Sequence, residues 1–480
     1  MSFSHLGSRS FYRSIQPEID GVRPKLAHFN IKNAKIDPVA VLGVLMKNYA
    51  FANRTMVSGI ERTPWMADPN NIDIRSELPG HGHQRLSTDE IAIKFKERLE
   101  NEALAFVKGK DTIGILLSGG MDSRIVAGII KELQRSEKYV GDVVALTWGL
   151  EESRDVIYAK RIAKQFGWPI EHFLLSSELL ERNIFLAADR GAEYSPVHLH
   201  AMSEIGKLPG LDGVLAGSYG DSIGRGEYSG RKIDALPNIL DKNLNQFAFM
   251  RCDTEKFAFK KIKADLAEER LRFPGRTEVS YREMEMQLHY MRRQLNACME
   301  VIDDEIPLYQ MFSDPEVFGF MWSLEPSCRT DDNYEALLAL LPGNLLSIPW
   351  ARTGKRYNQS TTKAQDEFLS RNNNYGRWLR TDLRRMIVDE ISSGALQELG
   401  IFNNNALEMW CNRWPKSRTP KADRLDEKMA WLASLSIFVK KNQLKGFDKK
   451  YNHGIADEIN RFKALSYFQV YHLFKRLLKR

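Results

Sequence analysis

Between Ile113 and Ile130 the chain reads IGILLSGGMDSRIVAGII, and six of these residues, Ser118-Gly119-Gly120-Met121-Asp122-Ser123, have the types and order needed to hold a pyrophosphate. Two glycines let backbone come close to phosphate, two serines add hydroxyl donors, and the first N–H groups of a following helix add positive potential. Asp122 beside such anions makes chemical sense as a ligand for Mg²⁺. Leu116 and Leu117 end an apolar strand, while Ile125, Val126, Ile129 and Ile130 recur at helical spacing, so the loop has the strand-loop-helix setting that the chemistry requires. Leu117, Ser118, Gly119, Gly120, Asp122 and Ser123 are therefore candidate nucleotide contacts. The Gly-x-Gly-x-x-Gly order of a dinucleotide fingerprint is absent from this loop, and no Gly-x-x-x-x-Gly-Lys-Ser/Thr run occurs anywhere, which disfavours Walker-type chemistry.

The elements that must position this loop follow from the hydrophobic pattern. After a helix over about 87–107, strand and helix signals alternate through VVALTWGL, SRDVIYAKRIAKQFG, IEHFLL, SELLERNIFLAADR and LDGVLAG. Such alternation predicts an α/β fold with a doubly wound parallel sheet. Ligands on these sheets sit beyond the carboxyl ends of the strands, so Thr147-Trp148-Gly149 and the run from Gly217 to Asp221 should also face the nucleotide. Beyond about residue 255 helical patterns dominate, the longest from Tyr281 to Val301. Upstream, Pro38 to Asn48 reads as a short amphipathic helix. His198 and His200 stand two apart, a spacing that does not share a helix face, and are read as packing or surface residues. The stretch IPWARTGKR offers Arg352, Lys355 and Arg356 in a glycine-containing loop suited to neutralising departing pyrophosphate. The expected organisation is an N-terminal segment over 1–86, an α/β core over 87–255, a helical part over 256–439 and a tail over 440–480.

A chain of 480 residues with 43% hydrophobic content can bury substantial cores. No apolar run approaches a spanning helix and the first residues lack a leader pattern, so a cytoplasmic location is expected. Cys252, Cys298, Cys328 and Cys411 form no Cys-x-x-Cys pair and read as ordinary thiols. The net charge is +7, yet residues 440–480 alone carry 11 Lys/Arg against 3 Asp/Glu. The body is thus close to neutral, which argues against nucleic acid as a partner. The tail segment FKALSYFQVYHLFKRLLKR mixes aromatic and basic residues as a helix docking on a membrane surface or an acidic partner does, or as a terminal helix packed on the body.

The Ser-Gly-Gly-x-Asp-Ser loop resembles that of N-type ATP pyrophosphatases, and its flanks are most similar to the synthetase domain of the asparagine synthetase family. Two further segments carry the resemblance. TMVSGI (Thr55 to Ile60) is similar to the element that closes the family's glutaminase domain, and AGSYGDSIGRGEY stands where the family has Ser-Gly-Glu-Gly-x-Asp-Glu. The resemblance implies an adenine nucleotide alpha hydrolase-like sheet, with ATP and Mg²⁺ as cofactors and Asp221 as a second metal carboxylate facing Asp122. It also implies contacts from Thr147, Trp148 and Gly217. Ser218 occupies the family's glutamate position, and Tyr219 beside it resembles the loop tyrosine that β-lactam synthetases use as part of their base, with Glu305 as its partner. The family's later lysine falls near Asn333, so that cation is missing here and Arg352 and Lys355 stand in for it.

Taken with the resemblance, these residues imply an ATP-dependent carbon–nitrogen ligase. It adenylates a carboxylate with loss of pyrophosphate, then transfers ammonia or an amine to it. Residues 1–86 retain only the exit of a glutaminase-type domain, so the nitrogen is expected from free ammonia, a separate glutaminase subunit or an amine. The missing family glutamate and lysine make free aspartate a poor substrate and point to another small-molecule carboxylate, such as a sugar uronate in surface polysaccharide synthesis. Two alternatives remain open from the residues: an adenylating pyrophosphatase that modifies tRNA or nucleobases, and a nucleotide-binding partner subunit without catalysis.

Overall fold

Five short apolar runs pair in parallel: β1 (Thr112–Leu116), β2 (Asp142–Gly149), β3 (Ile170–Leu174), β4 (Gly213–Ala216) and β5 (Leu308–Gln310), in the spatial order β5-β4-β1-β2-β3. The computed structural model describes residues 4–15, 21–240, 245–357, 367–447 and 454–477, with side chains as far as residue 471. Ile113 lies opposite both Val143 and Gly213, which fixes β1 at the centre of the sheet. The chain winds outward from β1 through β2 and β3, then returns to the other side of β1 for β4 and β5. The switch point between β1 and β4 is where such sheets open a crevice. The doubly wound α/β sheet expected from the sequence is what forms, with β5 as an added edge strand from LYQ, a segment the alternating pattern did not include.

Helices cover both faces. The labels used are α1 (Pro38–Lys47), α2 (Thr88–Val107), α3 (Met121–Arg135), α4 (Arg154–Phe166) and α5 (Ser177–Asp189). Local chemistry sets their ends: Ser87 and Glu90 form a reciprocal capping box for α2, Ser153 caps α4, and Gly167 ends α4 at φ 72°. Odd positions of β1, Ile113 and Ile115, pack with α2 and α3, while Leu116 faces the opposite layer with Leu146, Val214 and Ile302. A continuous helical run from Glu278 to Asp303 matches the long helix expected here, but its middle, Gln287–Asn296, is a π-helix.

The expected boundaries at 86 and 439 are not seams in the core. Every residue of α1 except Lys47 is buried, and Val39, Leu42 and Leu45 belong to the same core as Trp410 and Trp431. The amphipathic reading of α1 is therefore corrected: it is apolar all round because helices enclose it. Each of its Val, Leu and Met side chains contributes about 1.5–3 kcal/mol by leaving water. The helix Ile455–Leu477 docks through Ala464, Leu465 and Phe468, the last against Trp410 at 5.0 Å, and leaves Ile455, Ile459, Phe462, Val470 and Tyr471 exposed. Among the described residues no helix is long and apolar enough to cross a membrane.

Candidate active site at the strand ends

The loop after β1 is closed by its own serines. The Ser123 hydroxyl accepts from the Ser118 N–H at 3.2 Å and lies 3.1 Å from the Ser118 carbonyl, while Ser118 Oγ accepts from the Gly120 N–H at 3.1 Å. The Gly119 N–H is taken by the Asp155 carboxylate in the first turn of α4. The first-turn N–H groups of α3 have no helical acceptor and are the donors this loop offers to an anion.

Across the switch point, the loop after β4 presses on the same spot. A Cβ at Gly217 would meet the Ser123 nitrogen at 2.8 Å, and one at Gly220 would meet Asp122 Oδ1 at 2.4 Å. Only glycine permits this approach. It brings the Asp122 carboxyl beside that of Asp221, and burial together with the Asp221 charge pushes the Asp122 pKa well above the carboxylate range. Asp122 Oδ1 is buried without a hydrogen-bond partner. A partnerless buried oxygen beside a second carboxylate fits a divalent cation, which would relieve both the desolvation and the like-charge repulsion.

Two cavities open here. One, of about 230 Å³, is lined by Asp122, Asp155, Asp221, Arg225 and Arg352. The other, of about 350 Å³, is walled by Leu116, Ser118, Trp148, Gly217 and Ser218 on the sheet side, and by Tyr290, Gln294, Cys298 and Met299 from the long helix. The π segment supplies Tyr290 and Gln294. Extra residues in such a segment commonly shape a functional wall.

The sequence-derived candidates divide accordingly. Ser118, Gly120, Asp122, Ser123, Trp148 and Gly217 line the larger cavity and Asp221 and Arg352 the smaller, while Gly119 is packed against Ala351. Leu117 and Thr147 line neither cavity. Their side chains are buried, because alternate residues of a strand face opposite sides, and Leu116 and Trp148 present theirs instead. Tyr219 is also corrected: it adopts φ 71° and turns its ring into the core, where the phenol donates to the Leu6 carbonyl at 3.3 Å and burial raises its pKa. Glu305 is exposed in the turn before β5, at the amino end of the sheet, opposite the site. Lys355 lies on the same loop as Arg352 yet lines neither cavity.

His198 and His200, read as packing or surface residues, instead line the larger cavity. A 3₁₀ turn ends at His200 with φ 44° and ψ −123°, a strained geometry that defeats the helix-face argument and turns both rings inward. Gln294 donates to His198 Nε2 at 2.8 Å, and the Tyr375 hydroxyl lies 2.8 Å from His200 Nδ1. Burial lowers His198 to about 4 and His200 to about 3, so both are neutral at pH 7.

Two arginines of the site escaped the sequence reading. Arg124, inside the motif itself, is fully buried and donates to the carbonyls of Gly119, Leu345, Ile348 and Pro349, at 3.0, 3.2, 2.6 and 2.5 Å. It ties the phosphate loop to the IPWARTGKR loop, and burial lowers its pKa to about 10. Arg225 pairs with Asp221 and with Asp331 at 2.6 Å, its guanidinium over the rings of Tyr334 and Trp350. Its four-residue spacing from Asp221 was the available signal. Arg352 pairs with Glu227 at 2.9 Å.

A parallel sheet with a glycine-serine loop at its switch point and facing carboxylates defines a doubly wound α/β domain. Residues 94–305 match the model of the asparagine synthase family. Over 131 residues the chain is 31% identical to a putative glutamine-hydrolyzing asparagine synthetase of Methanocaldococcus jannaschii, a match covering 26% of this chain and 23% of that protein. The chain thus spans about a quarter of the length of that curated relative. Among solved structures it is similar to the NMN synthetase of Francisella tularensis, at 15% identity, 46% of this chain, 93% of that one and a TM-score of 0.22.

Proposed function

We propose that the chain is an ATP-dependent carbon–nitrogen ligase that adenylates a carboxylate and transfers ammonia to the acyl group. The observation that carries this reading is the buried, partnerless Asp122 oxygen facing Asp221 at the head of the Ser118–Ser123 loop. Acid activation of this kind joins a carboxylate oxygen to the α-phosphorus of ATP while the bond to the β-phosphate breaks. A nitrogen nucleophile then takes the acyl carbon and AMP leaves. Mg²⁺ held by Asp122 and Asp221 would offset triphosphate charge. The loop and α3 donors orient the phosphates, Arg225 and Arg352 stand where charge builds on the departing pyrophosphate, and Arg124 keeps their loops in register.

The larger cavity supports a polyhydroxylated acid, such as a sugar uronate, as the acyl donor whose carboxylate is adenylated. Its lining has no lysine or arginine, while Ser218, Tyr290, Gln294 and the two neutral histidines offer uncharged hydrogen-bonding groups. Leu116 and Trp148 provide an apolar wall suited to adenine. Ammonia from solution or from a separate glutaminase subunit completes the reaction. The exposed apolar residues and basic charge of the C-terminal helix suit peripheral contact with an anionic bilayer, tested by salt-sensitive co-sedimentation with anionic vesicles. The central test incubates the chain with Mg-ATP, ammonium and a panel of uronates: AMP and pyrophosphate appear in step, whereas ADP and phosphate would overturn the reading.

A further inference from the structure

His198 and His200 each commit one ring nitrogen to the protein and leave the other to the reaction cavity. Both rings line that cavity, while Leu199 between them is fully buried. His198 Nε2 accepts the Gln294 amide N–H, so the neutral ring carries its proton on Nδ1. The Tyr375 side chain is buried, burial raises the pKa of its phenol, and among the described residues His200 Nδ1 is the one hydrogen-bond partner of its hydroxyl. Donation from the phenol to that nitrogen puts the His200 proton on Nε2. The opposite tautomer would leave a buried phenol proton without an acceptor. His198 Nδ1 and His200 Nε2 are therefore N–H donors. Among the described residues neither has an acceptor, and neither is shut away as the unsatisfied His289 Nε2 is.

The surroundings hold the His200 donor in place. Its ring stacks with both Trp148 and Tyr375, at centroid distances of 6.2 and 5.8 Å. Its backbone keeps the strained angles of the turn, and its carbonyl accepts from the Asn183 amide at 2.8 Å. Strain that neighbouring groups maintain is characteristic of ligand sites.

Two fixed N–H groups opening on one cavity match the two oxygens of a carboxylate, an acceptor-only group whose hydrogen bonds are strengthened by its charge. The lining of this cavity has no lysine or arginine. A cation there would pair with the charge that the acid needs in order to attack phosphorus, whereas neutral donors orient the oxygens and leave that charge available. The same cavity extends to Ser118, Gly120 and Asp122 of the phosphate loop. We propose that His198 Nδ1 and His200 Nε2 form a two-donor clamp on the carboxylate of the acyl donor and select acids over their neutral counterparts. That the clamped acid is the one adenylated rests on the ligase reading; the clamp itself does not.

The test labels the histidines of the full chain with nitrogen-15 and saturates it with Mg²⁺ and α,β-methylene-ATP. The nitrogen shifts should show His198 protonated on Nδ1 and His200 on Nε2, assigned by comparison with His198→Asn and His200→Gln. Both N–H signals should move on addition of galacturonate, glucuronate or acetate, and stay in place with galactose. An asparagine amide sets an N–H near the position of Nδ1 and a glutamine amide near that of Nε2. His198→Asn/His200→Gln should therefore bind galacturonate within about threefold of wild type, whereas His198→Phe/His200→Phe should bind it at least about tenfold more weakly. Affinity for the nucleotide analogue should be unchanged in both. The opposite tautomer at either ring, signals that none of the three acids moves, or a phenylalanine variant that loses the nucleotide instead of the acid overturns the proposal. If the double phenylalanine variant fails to fold, His198→Phe set against His198→Asn gives the same comparison from a smaller loss. Absence of AMP release would defeat the ligase reading while leaving these shifts standing.

Discussion

The two loops that meet at the switch point are built in opposite ways. The one after β1 is rigid and self-closed: its serines bond to its own backbone, Arg124 clamps it, and one Asp122 oxygen is buried with no hydrogen bond to satisfy it. The one after β4 is adjustable. Asp221 is 44% exposed and already holds Arg225, and Tyr219 secures the loop by burying its ring. Strain is therefore concentrated on one carboxylate, while the other can exchange its arginine for a cation. A site divided this way presents one fixed ligand and one that moves.

The largest expected effect comes from the fixed side. Asp122→Asn should lower pyrophosphate release by roughly a hundredfold to a thousandfold, the loss typical of one preorganised charge contact of about 3–4 kcal/mol. The same change should raise metal-free stability. The folded Asp122 pKa lies above its unfolded value, so the native state binds the extra proton and stability falls as pH climbs from the unfolded value through the folded one. Thermal melts should show Asp122→Asn above wild type at pH 7 and the two converging below the normal aspartate pKa. A variant that is both slower and less stable at pH 7 would show that Asp122 is not strained.

Gly220→Ala tests the contact between the loops directly. Its methyl carbon would fall 2.4 Å from Asp122 Oδ1, so turnover should drop about tenfold or more through misplacement alone, and wild-type rates would mean that the β4 loop yields freely. Asp221→Asn should cost less than Asp122→Asn, because its exposed carboxylate is partly replaced by water; equal losses in pyrophosphate release would erase the asymmetry. Tyr219→Phe should have the smallest effect, within about 1 kcal/mol of stability for one long hydrogen bond, with pyrophosphate release unchanged. A large fall in turnover there would return the phenol to the chemistry.

How far the sequence revealed this site depends on whether local pattern or distant packing decides. The β1 loop is legible because strand, glycines, serines and helix are contiguous, and their spacing alone dictates the geometry. Asp221 was reachable through resemblance and strand-end logic. Tyr219 and Glu305 were misplaced for different reasons. One residue in the left-handed region at Tyr219 reverses where a side chain points, and the strand Leu308–Gln310 puts Glu305 at the far end of the sheet. His198 and His200 were missed because an irregular turn, not a helix, presents them. Arg124 looked like one more polar residue in a helix, since its four carbonyl partners lie in distant loops. The shared core of α1 with Trp410 and Trp431 could not be read at all, for no local periodicity reports a contact across more than 350 residues.

That shared core has a consequence for how the polypeptide is made. As residues leave the ribosome, α1 emerges long before Trp410 and Trp431. The β-sheet domain can form as it is synthesised, but α1 must wait with an apolar surface on every side until the helices that carry those tryptophans arrive. Contacts of such separation fold slowly and leave sticky intermediates exposed. Chaperone demand and soluble yield should therefore be governed by the length of chain between α1 and these tryptophans, even for variants whose catalytic loops are untouched.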